Sequence, residues 1–365
     1  MRVLIAPDKF AGTLTAVEAA EAIATGWRRR LPNAEVDTAP MSDGGPGFVD
    51  VLHAALGGAL VALTVPDPYG VPVPATLLLV GETAYLESAQ AVGLHLTRAE
   101  ERQPMRGSSR GVGELVLAAI ESGASRVVLG AGGTATNDGG AGLLAALGAT
   151  ATGAVLDAGP AGLDGLQSVD LAPARERVAR VELLLASDVE TQLLGLVGAT
   201  KTFGPQKGLS EEELLVADGR LQRFAEVTDR KLADAKGAGA AGGLGYALLL
   251  LGATRRPGVE LVVEAVGLAD RIAAADLVIT GEGAFDFSSR AGKVPYGVAQ
   301  LATEALRPCI ALAGQVLVGS REMRALGIEA AYSVVERVGE DRAFAAPADA
   351  LAELAERVAR TWGRE

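Results

Sequence analysis

Five glycine-rich segments of the chain carry the side chains that could do chemistry. They lie at residues 6–15, 41–47, 130–142, 202–208 and 279–293. Each combines glycine with acidic, hydroxyl or lysine side chains. Glycine lets a phosphate approach backbone N–H groups, carboxylates hold Mg²⁺, and lysine neutralises charge on a transferring phosphoryl group. This combination predicts phosphoryl transfer better than redox or acyl-transfer chemistry.

Five acidic residues in or near these segments are candidates for base or metal-binding roles. Asp43 and Asp138 each precede a Gly-Gly pair, which is also typical of a turn with no chemical role. Glu282 and Asp286 are four residues apart after a predicted strand, so both carboxylates could lie near one metal ion. A helix cap beside a solvated acid would give the same spacing. Asp188 follows another predicted strand and has the same two interpretations.

Lysine is used sparingly in this sequence. Of 33 basic residues, six are lysine, and none lies between residues 10 and 200. An arginine-rich chain is expected to keep lysine where a compact point charge is needed, although codon bias is the simpler explanation for any one position. Lys9, Lys207 and Lys293 lie in the glycine-rich segments, which favours a functional role for these three.

Several well-known motifs are missing from the sequence. It contains no GxxxxGK[ST], GxSxG or HExxH, which excludes a P-loop enzyme and disfavours hydrolases that depend on these motifs. Gly237, Gly239 and Gly242 match GxGxxG, but a helical stretch is predicted before them instead of a strand. A phosphate-binding turn or a tight helix contact is therefore the better interpretation. His53 and His95 are expected to be ordinary structural residues.

Composition excludes further classes of protein. The 365 residues carry a formal charge of -12, whereas a nucleic-acid-binding protein normally presents a basic face. No run reaches 18 apolar residues, so no membrane span is predicted, and a cytoplasmic protein is expected. The single cysteine, Cys309, excludes an intramolecular disulfide and lies in an apolar run typical of a core. The length predicts about two domains.

The predicted elements explain how the segments are positioned. Both ends of the chain alternate strand, loop and helix, which predicts parallel α/β structure with ligands at the carboxyl ends of strands. The pattern from about residue 59 instead predicts an antiparallel meander. We therefore predict two α/β domains with a cleft between them. One is a Rossmann- or flavodoxin-like parallel domain from residues 1–62 plus 265–365, and the other is a mixed-sheet domain inserted at 63–264.

Three local predictions can be checked directly. Thr15 with Glu18, and Ser210 with Glu213, have the spacing of a capping box at a helix start. The strand at 276–280 should share a sheet with the strand at 2–6. The segment 202–208 is interpreted as a loop that holds Lys207 between two glycines.

Taken together, these segments resemble the type 1 glycerate kinase family over nearly the whole chain. The resemblance is carried by motifs at 6–15, 40–47, 108–115, 132–142, 203–208, 237–245, 276–286 and 292–293. It implies ATP-dependent phosphorylation of D-glycerate to phosphoglycerate, with 2-phosphoglycerate favoured over 3-phosphoglycerate and Mg²⁺ needed for the nucleotide. A Mg²⁺-dependent phosphatase or a non-catalytic organic-acid sensor stays open as an alternative, as does the choice between monomer and homodimer.

Within this interpretation each candidate residue has an expected role. The catalytic candidates are Asp43, Asp138, Asp188 and Lys207. The substrate-binding candidates are Asp8, Lys9, Ser42, Gly44, Gly45, Thr136 and Asn137. The nucleotide-binding candidates are Gly132, Gly133, Gly239, Gly242, Gly281, Glu282 and Lys293. The metal-binding candidates are Asp188, Glu282 and Asp286.

The sequence departs from the usual family pattern at four places. Ala11 stands where a lysine is common, and Pro46 replaces a usual acidic residue. Residues 190–192 and 288–289 also differ from the typical Asn-Pro and Gln-Thr steps. These departures argue against direct side-chain roles at Ala11 and Pro46.

Overall fold

A computed structural model of the protein describes residues 1–286 and 293–363. The chain divides into two compact units. Unit 1 comprises Met1–Asp43, Asp50–Leu56 and Gly258–Glu365, and unit 2 comprises Gly44–Val49 and Gly57–Pro257. The domain boundaries predicted from the sequence, at 62/63 and 264/265, stay a proposal. The predicted mixed α/β class is confirmed.

The strands alternate with helices at both ends of the chain and cluster in its middle. In chain order they are β1 (Arg2–Ile5), β2 (Glu35–Thr38), β3 (Ala59–Pro66), β4 (Pro72–Val80), β5 (Thr83–Glu87), β6 (Arg126–Gly130), β7 (Thr150–Thr152), β8 (Ser168–Asp170), β9 (Glu182–Ala186), β10 (Thr254–Arg256), β11 (Leu277–Thr280), β12 (Ala284–Phe285), β13 (Cys309–Ala313), β14 (Gln315–Val316) and β15 (Ala330–Ser333).

The helices range from single turns to 17 residues. They are α1 (Ala16–Arg30), α2 (Phe48–Leu56), α3 (Ser88–Val92), α4 (Arg110–Glu121), α5 (Ala141–Ala146), α6 (Gly159–Gly162), α7 (Ala172–Val178), α8 (Ala199–Lys207), α9 (Glu211–Val227), α10 (Ala240–Leu250), α11 (Gly258–Val266), α12 (Leu268–Ala274), α13 (Val294–Glu304), α14 (Ser320–Ala325), α15 (Val334–Val338), α16 (Glu340–Ala345) and α17 (Pro347–Trp362). Short 3₁₀ helices lie at Leu94–Leu96, Ala99–Glu101, Pro104–Arg106 and Leu232–Asp234.

Unit 1 is built around a parallel sheet in the order β15-β13-β11-β1-β2. β1 pairs with β11, which confirms the predicted pairing of the strands at 2–6 and 276–280. β11 and β13 are buried along their whole length, and Cys309 lies in this core as predicted. Strands buried on both faces need such continuous apolar runs because helices cover both sides of a parallel sheet. The loops that carry chemistry therefore leave one edge of this sheet.

Unit 2 contains a mixed sheet in the order β10-β9-β6-β5-β4-β3. β3, β4 and β5 form the predicted antiparallel meander, whereas β5, β6, β9 and β10 run parallel. The loops after β6 and β9, which hold Asp138 and Asp188, thus leave the same edge of the sheet. This common edge follows from the parallel order of the two strands.

The helix starts behave as the local sequence predicts. Thr15 accepts a hydrogen bond from Glu18 N while the Glu18 carboxylate accepts one from Thr15 N, and Ser210 and Glu213 repeat the arrangement at α9. Both capping boxes are confirmed. Each satisfies backbone N–H groups that a helix start leaves without intrahelical partners.

The prediction of a loop at 202–208 is wrong. These residues belong mostly to α8, which ends at Lys207, and Pro205 lies inside it. Gly208, at φ +99°, ends the helix in the left-handed conformation. The helix tolerates the glycines and the proline that indicated a loop. Gly204 packs directly against Leu209 and Leu214, where a larger side chain would not fit. Lys207 is therefore held by a helix end instead of a loop.

The GxGxxG match is a site of tight packing. A 3₁₀ helix, Leu232–Asp234, precedes it, as the predicted helical stretch requires, so it is no dinucleotide-binding fingerprint. Ala241, Gly242 and Gly243 all have positive φ at the start of α10. A side chain at Gly242 would overlap the Thr136 carbonyl oxygen. Gly242 thus lets α10 lie directly against the loop after β6.

Among the described residues, no helix combines the length and the apolar character that a bilayer span needs.

Candidate active site

Charged side chains from the loops after β1 and β2 meet at the carboxyl edge of the unit 1 sheet. Lys9 Nζ lies 3.4 Å from Asp43 Oδ1 and 3.5 Å from Asp8 Oδ1. The loop after β1 is fixed to the loop after β11, since Asp8 N donates to the Gly281 carbonyl at 2.8 Å. The structure therefore brings Asp8, Lys9 and Asp43 together as one group, which we call the Lys9 cluster. Ser42, which precedes Asp43 in the sequence, is buried.

Burial and charge both perturb the Lys9 cluster. Burial raises the pKa of Asp8 to about 6, against the opposing effect of the Lys9 charge. Burial disfavours the Lys9 ammonium, but the nearby Asp43 and Asp8 carboxylates outweigh this and raise the pKa of Lys9. The side chains of Lys9 and Asp43 are nevertheless 25% and 32% exposed, so a ligand can reach them. A reachable acid beside a fixed cation suits acid–base and phosphate chemistry.

The loop after β11 supplies a second ion pair in unit 1. Lys293 Nζ lies 3.8 Å from Glu282 Oε2, and the Glu282 carboxylate is buried. Asp286 is half-buried on the same loop. Glu282 and Lys293, two of the predicted nucleotide-binding candidates, therefore lie together. The family departure at 288–289 and Gly292 of the motif at 292–293 lie outside the described residues.

In unit 2, Asp138 ties together the starts of two helices. Its Oδ2 accepts hydrogen bonds from Ser109 N at 2.8 Å, Ser109 Oγ at 2.7 Å and Gly142 N at 3.1 Å. Its Oδ1 accepts one from Gly140 N at 3.0 Å. Complete burial raises the pKa of Asp138, and these hydrogen bonds oppose the rise. A carboxylate at two helix N-termini is stabilised by N–H donors and by both helix dipoles.

This hydrogen bonding makes a stability prediction for Asp138. In Asp138→Asn, an amide NH₂ must face a backbone N–H, and the charge at both helix starts is lost. We expect the free energy of unfolding to fall by about 2 kcal/mol, on the scale of an unsatisfied buried donor plus a lost dipole interaction. Urea unfolding measures it, with Asp164→Asn, an exposed site in the same unit, as the control. A variant as stable as the native protein but inactive would instead support a catalytic Asp138.

Lys207 contacts the same loop after β6. Its Nζ donates to the Thr136 carbonyl oxygen at 2.5 Å and to Thr134 Oγ1 at 3.4 Å. Burial lowers the pKa of Lys207 to about 7, although the Asp138 charge acts in the opposite direction. Among the described residues Lys207 forms no ion pair, and its side chain is 2% exposed. A lysine so enclosed costs stability, which points to a function for its charge.

Two buried oxygens next to Lys207 have no hydrogen-bond partner among the described residues. They are Thr136 Oγ1 and Asn137 Oδ1. The Asn137 amide donates to Thr200 Oγ1 at 3.0 Å, so α8 fixes this side chain while its oxygen stays unsatisfied. Buried polar oxygens normally find a partner, so a ligand hydroxyl or a water is expected here. We call Thr134, Thr136, Asn137 and Lys207 the Lys207 cluster.

The candidate glycines shape these loops by close packing. An added Cβ would lie under 3.0 Å from protein atoms at six of them: Gly44, Gly132, Gly133, Gly239, Gly242 and Gly281. Gly45 is itself the neighbour that a Cβ on Gly132 would meet, at 2.9 Å. These positions need glycine for backbone contact even without a bound phosphate.

Sequence reasoning missed three residues that form hydrogen bonds with the candidate side chains of unit 2. Ser109 bonds Asp138 with both its backbone and its side chain, and Thr134 and Thr200 bond Lys207 and Asn137. The paired serines before α4 were the available signal for Ser109, since a serine before a helix is a common cap. Asp188 is half-buried in the loop after β9.

Comparisons with known proteins identify the family of this chain. The sequence profile of the glycerate kinase family matches residues 3–363. Glycerate 2-kinase of Escherichia coli is 41% identical, covering 99% of this chain and 98% of its own. Glycerate kinase of Bacillus subtilis is 41% identical over 92% of this chain and 90% of its own. A solved structure described as a candidate glycerate kinase 2 from Salmonella typhimurium LT2 superposes with a TM-score of 0.81 at 37% identity, covering 99% and 98% of the two chains. This chain therefore belongs to the glycerate kinase family.

Proposed function

We propose that this protein transfers the terminal phosphoryl group of ATP to D-glycerate and forms 2-phosphoglycerate. The family supports the reaction, and the name of the Escherichia coli relative, glycerate 2-kinase, favours the 2-hydroxyl as acceptor. The observation that carries the proposal is the Lys9 cluster: an ammonium held between two carboxylates at the carboxyl edge of a parallel sheet. Such a site offers a carboxylate that can accept a proton and an ammonium that can balance the charge of a phosphate.

The proposed chemistry uses Asp43 as base and Lys9 as cation. Asp43 accepts the proton of the glycerate hydroxyl as that oxygen forms a bond to the terminal phosphorus, and the bond from phosphorus to the leaving ADP oxygen breaks. The Lys9 ammonium stabilises negative charge on the transferring group. Asp8 holds Lys9 in place, since Lys9 N donates to Asp8 Oδ1 at 2.7 Å.

We propose different roles for Asp138 and Lys207 of unit 2. Asp138 has every hydrogen bond directed at the backbone or Ser109, so it positions the loop after β6 instead of acting as a base. Lys207 donates a hydrogen bond to the Thr136 carbonyl and contributes positive charge next to the loop after β6. The unsatisfied oxygens of Thr136 and Asn137 suit hydrogen-bond donors, such as a water or a ligand hydroxyl, within unit 2.

We further propose that Mg²⁺ accompanies the nucleotide. Among the described residues, no three His, Cys, Asp or Glu side chains form a metal-binding group. A nucleotide-bound Mg²⁺ needs one or two carboxylates besides phosphate oxygens and waters, so Glu282 or Asp286 of unit 1 suits it as a ligand. Asp188 of unit 2 stays a separate candidate for the same role. The Mg²⁺ ion would neutralise charge on the donor phosphates, and Lys293 would add to this effect.

The substrate class leads to a direct prediction. We expect D-glycerate to stimulate ADP release from ATP at least tenfold more than glycerol or hexoses, because the carboxylate interacts with the cationic group and a neutral polyol does not. A coupled ADP assay measures the rates, and phosphorus NMR identifies the product as 2-phosphoglycerate.

The same assay separates the alternatives. Phosphate release from phosphoglycerate without ATP would indicate a phosphatase, and glycerate binding without turnover would indicate a sensor. Equal turnover of glycerol would contradict the proposal that the site selects an acid.

A further inference from the structure

Unit 1 contains an apolar cavity of about 220 Å³ at the carboxyl edge of its parallel sheet. Phe10, Val334, Phe344 and Leu351 contribute side chains to its wall, and Gly283 contributes backbone. The wall residues come from the segments after β1, β11 and β13 and from helices α15, α16 and α17 after β15, so the cavity lies where α/β sheets bind ligands. None of the roles proposed above uses it. We call it the Phe10 pocket.

The floor of the Phe10 pocket is fixed by close backbone contacts. Gln315 N donates to the Gly283 carbonyl at 3.0 Å, and Val335 N donates to the Gly314 carbonyl at 3.0 Å. An added side chain at Gly314 would overlap the Gly283 carbonyl oxygen. Phe10 is held by paired hydrogen bonds with Leu14 across a tight turn. The pocket is therefore largely pre-formed, as small-molecule sites usually are.

Two wall residues of the pocket are sequence neighbours of charged residues. Phe10 follows Lys9 of the Lys9 cluster, and Gly283 follows Glu282, which pairs with Lys293. The loops that wall the apolar pocket in unit 1 therefore also carry Lys9 and the Glu282 partner of Lys293. The ligand chemistry that fits both features has a flat apolar group at one end and several negative charges at the other.

One wall residue is suited to read the edge of such a group. Gln315 lines the pocket, is half-buried, and its carboxamide makes no hydrogen bond to the described residues. A carboxamide offers a donor and an acceptor side by side, which match N7 and the N6 amino group of adenine. Guanine presents two acceptors, N7 and O6, along the same edge, so a carboxamide there would pair less well.

From this juxtaposition we infer that the Phe10 pocket binds the adenine base of the phosphoryl donor, with its phosphates toward Lys9 and Lys293. The inference rests on the proposed kinase function and adds where the donor is held and why adenine is selected. Phe10 and Phe344 supply aromatic contact to the base, and Gln315 supplies the discrimination between purines.

The test uses two variants that leave the core intact. Phe344 is 59% exposed and Gln315 is half-buried, so Phe344→Ala and Gln315→Ala should fold normally. Titration with a fluorescent anthraniloyl-ATP, in the presence of Mg²⁺, measures nucleotide binding without turnover. We expect Kd to rise about tenfold in Phe344→Ala, on the scale of one lost base–aromatic contact. In Gln315→Ala, we expect the preference for ATP over GTP to fall about tenfold.

Three comparisons make the outcome decisive. Inorganic tripolyphosphate, which has no base, should compete equally well in all variants, and KM for glycerate should not change. Leu306→Ala, an exposed apolar site in unit 1 outside the pocket wall, should bind ATP normally. Unchanged ATP affinity in both pocket variants of an active kinase would overturn the inference alone. A native protein that neither binds ATP nor phosphorylates glycerate would instead overturn the proposed function.

Discussion

Replacing Lys207 with methionine is expected to lower kcat by about 10²-fold or more without weakening the fold at pH 7. The loss follows from removing a buried positive charge that is aligned before the reaction begins. Stability is retained because burial lowers the pKa of Lys207 to about 7, so its ammonium opposes folding. Methionine removes that penalty at the cost of the hydrogen bond to the Thr136 carbonyl, about 1 kcal/mol.

The pH dependence of unfolding provides an independent check on Lys207. Because its pKa is about 7 when folded and 10.5 as the ordinary value, the unfolded chain binds more protons between these values. Stability of the native protein should therefore rise with pH across this window relative to Lys207→Met. The control is Lys231→Met, an exposed lysine in the same unit, which should change neither property. Near-normal turnover by a well-folded Lys207→Met protein would show that the lysine has no role in the reaction.

Replacing Lys9 with alanine is expected to lower kcat/KM by about 10²-fold, because the cation proposed to stabilise the transferring phosphoryl group is lost. The variant should also unfold more easily at pH 7 than at pH 5. Lys9 lies within 3.5 Å of Asp8 and Asp43, and without it two carboxylates repel each other. Steady-state kinetics and thermal unfolding at both pH values measure the two effects.

The sign of this pH effect follows from Asp8. Burial already raises its pKa to about 6, and the Lys9 charge limits that rise. In Lys9→Ala the pKa of Asp8 moves higher, so protonation near pH 5 relieves the repulsion and restores part of the stability. Lys236→Ala removes an exposed lysine paired with Glu190 and serves as the control. A Lys9→Ala protein with normal kcat/KM, or equally destabilised at both pH values, would contradict the assigned role.

Much of the fold was predictable because its signals are local. The capping boxes at Thr15 and Ser210 depend on residues three apart, and the buried strands at 277–280 and 309–313 are continuous apolar runs. The pairing of the first strand with the strand near 277 was also predictable. Similar strand–loop–helix patterns at both ends of the chain favour one parallel sheet. The error at 202–208 has a local cause as well. Glycine and proline indicate a loop unless packing around them favours a helix.

The roles of the site residues were not accessible in the same way. Residue types that suit phosphoryl transfer, and their position after predicted strands, are visible in the sequence alone. Tertiary structure decided that Asp138 joins two helix starts, through Ser109, which is 29 positions away, and that Lys207 is enclosed against a carbonyl 71 positions away. The Phe10 pocket likewise needs segments from both ends of the chain. Burial and hydrogen bonding of a charged group depend on which distant segments pack around it, and no local pattern records that packing.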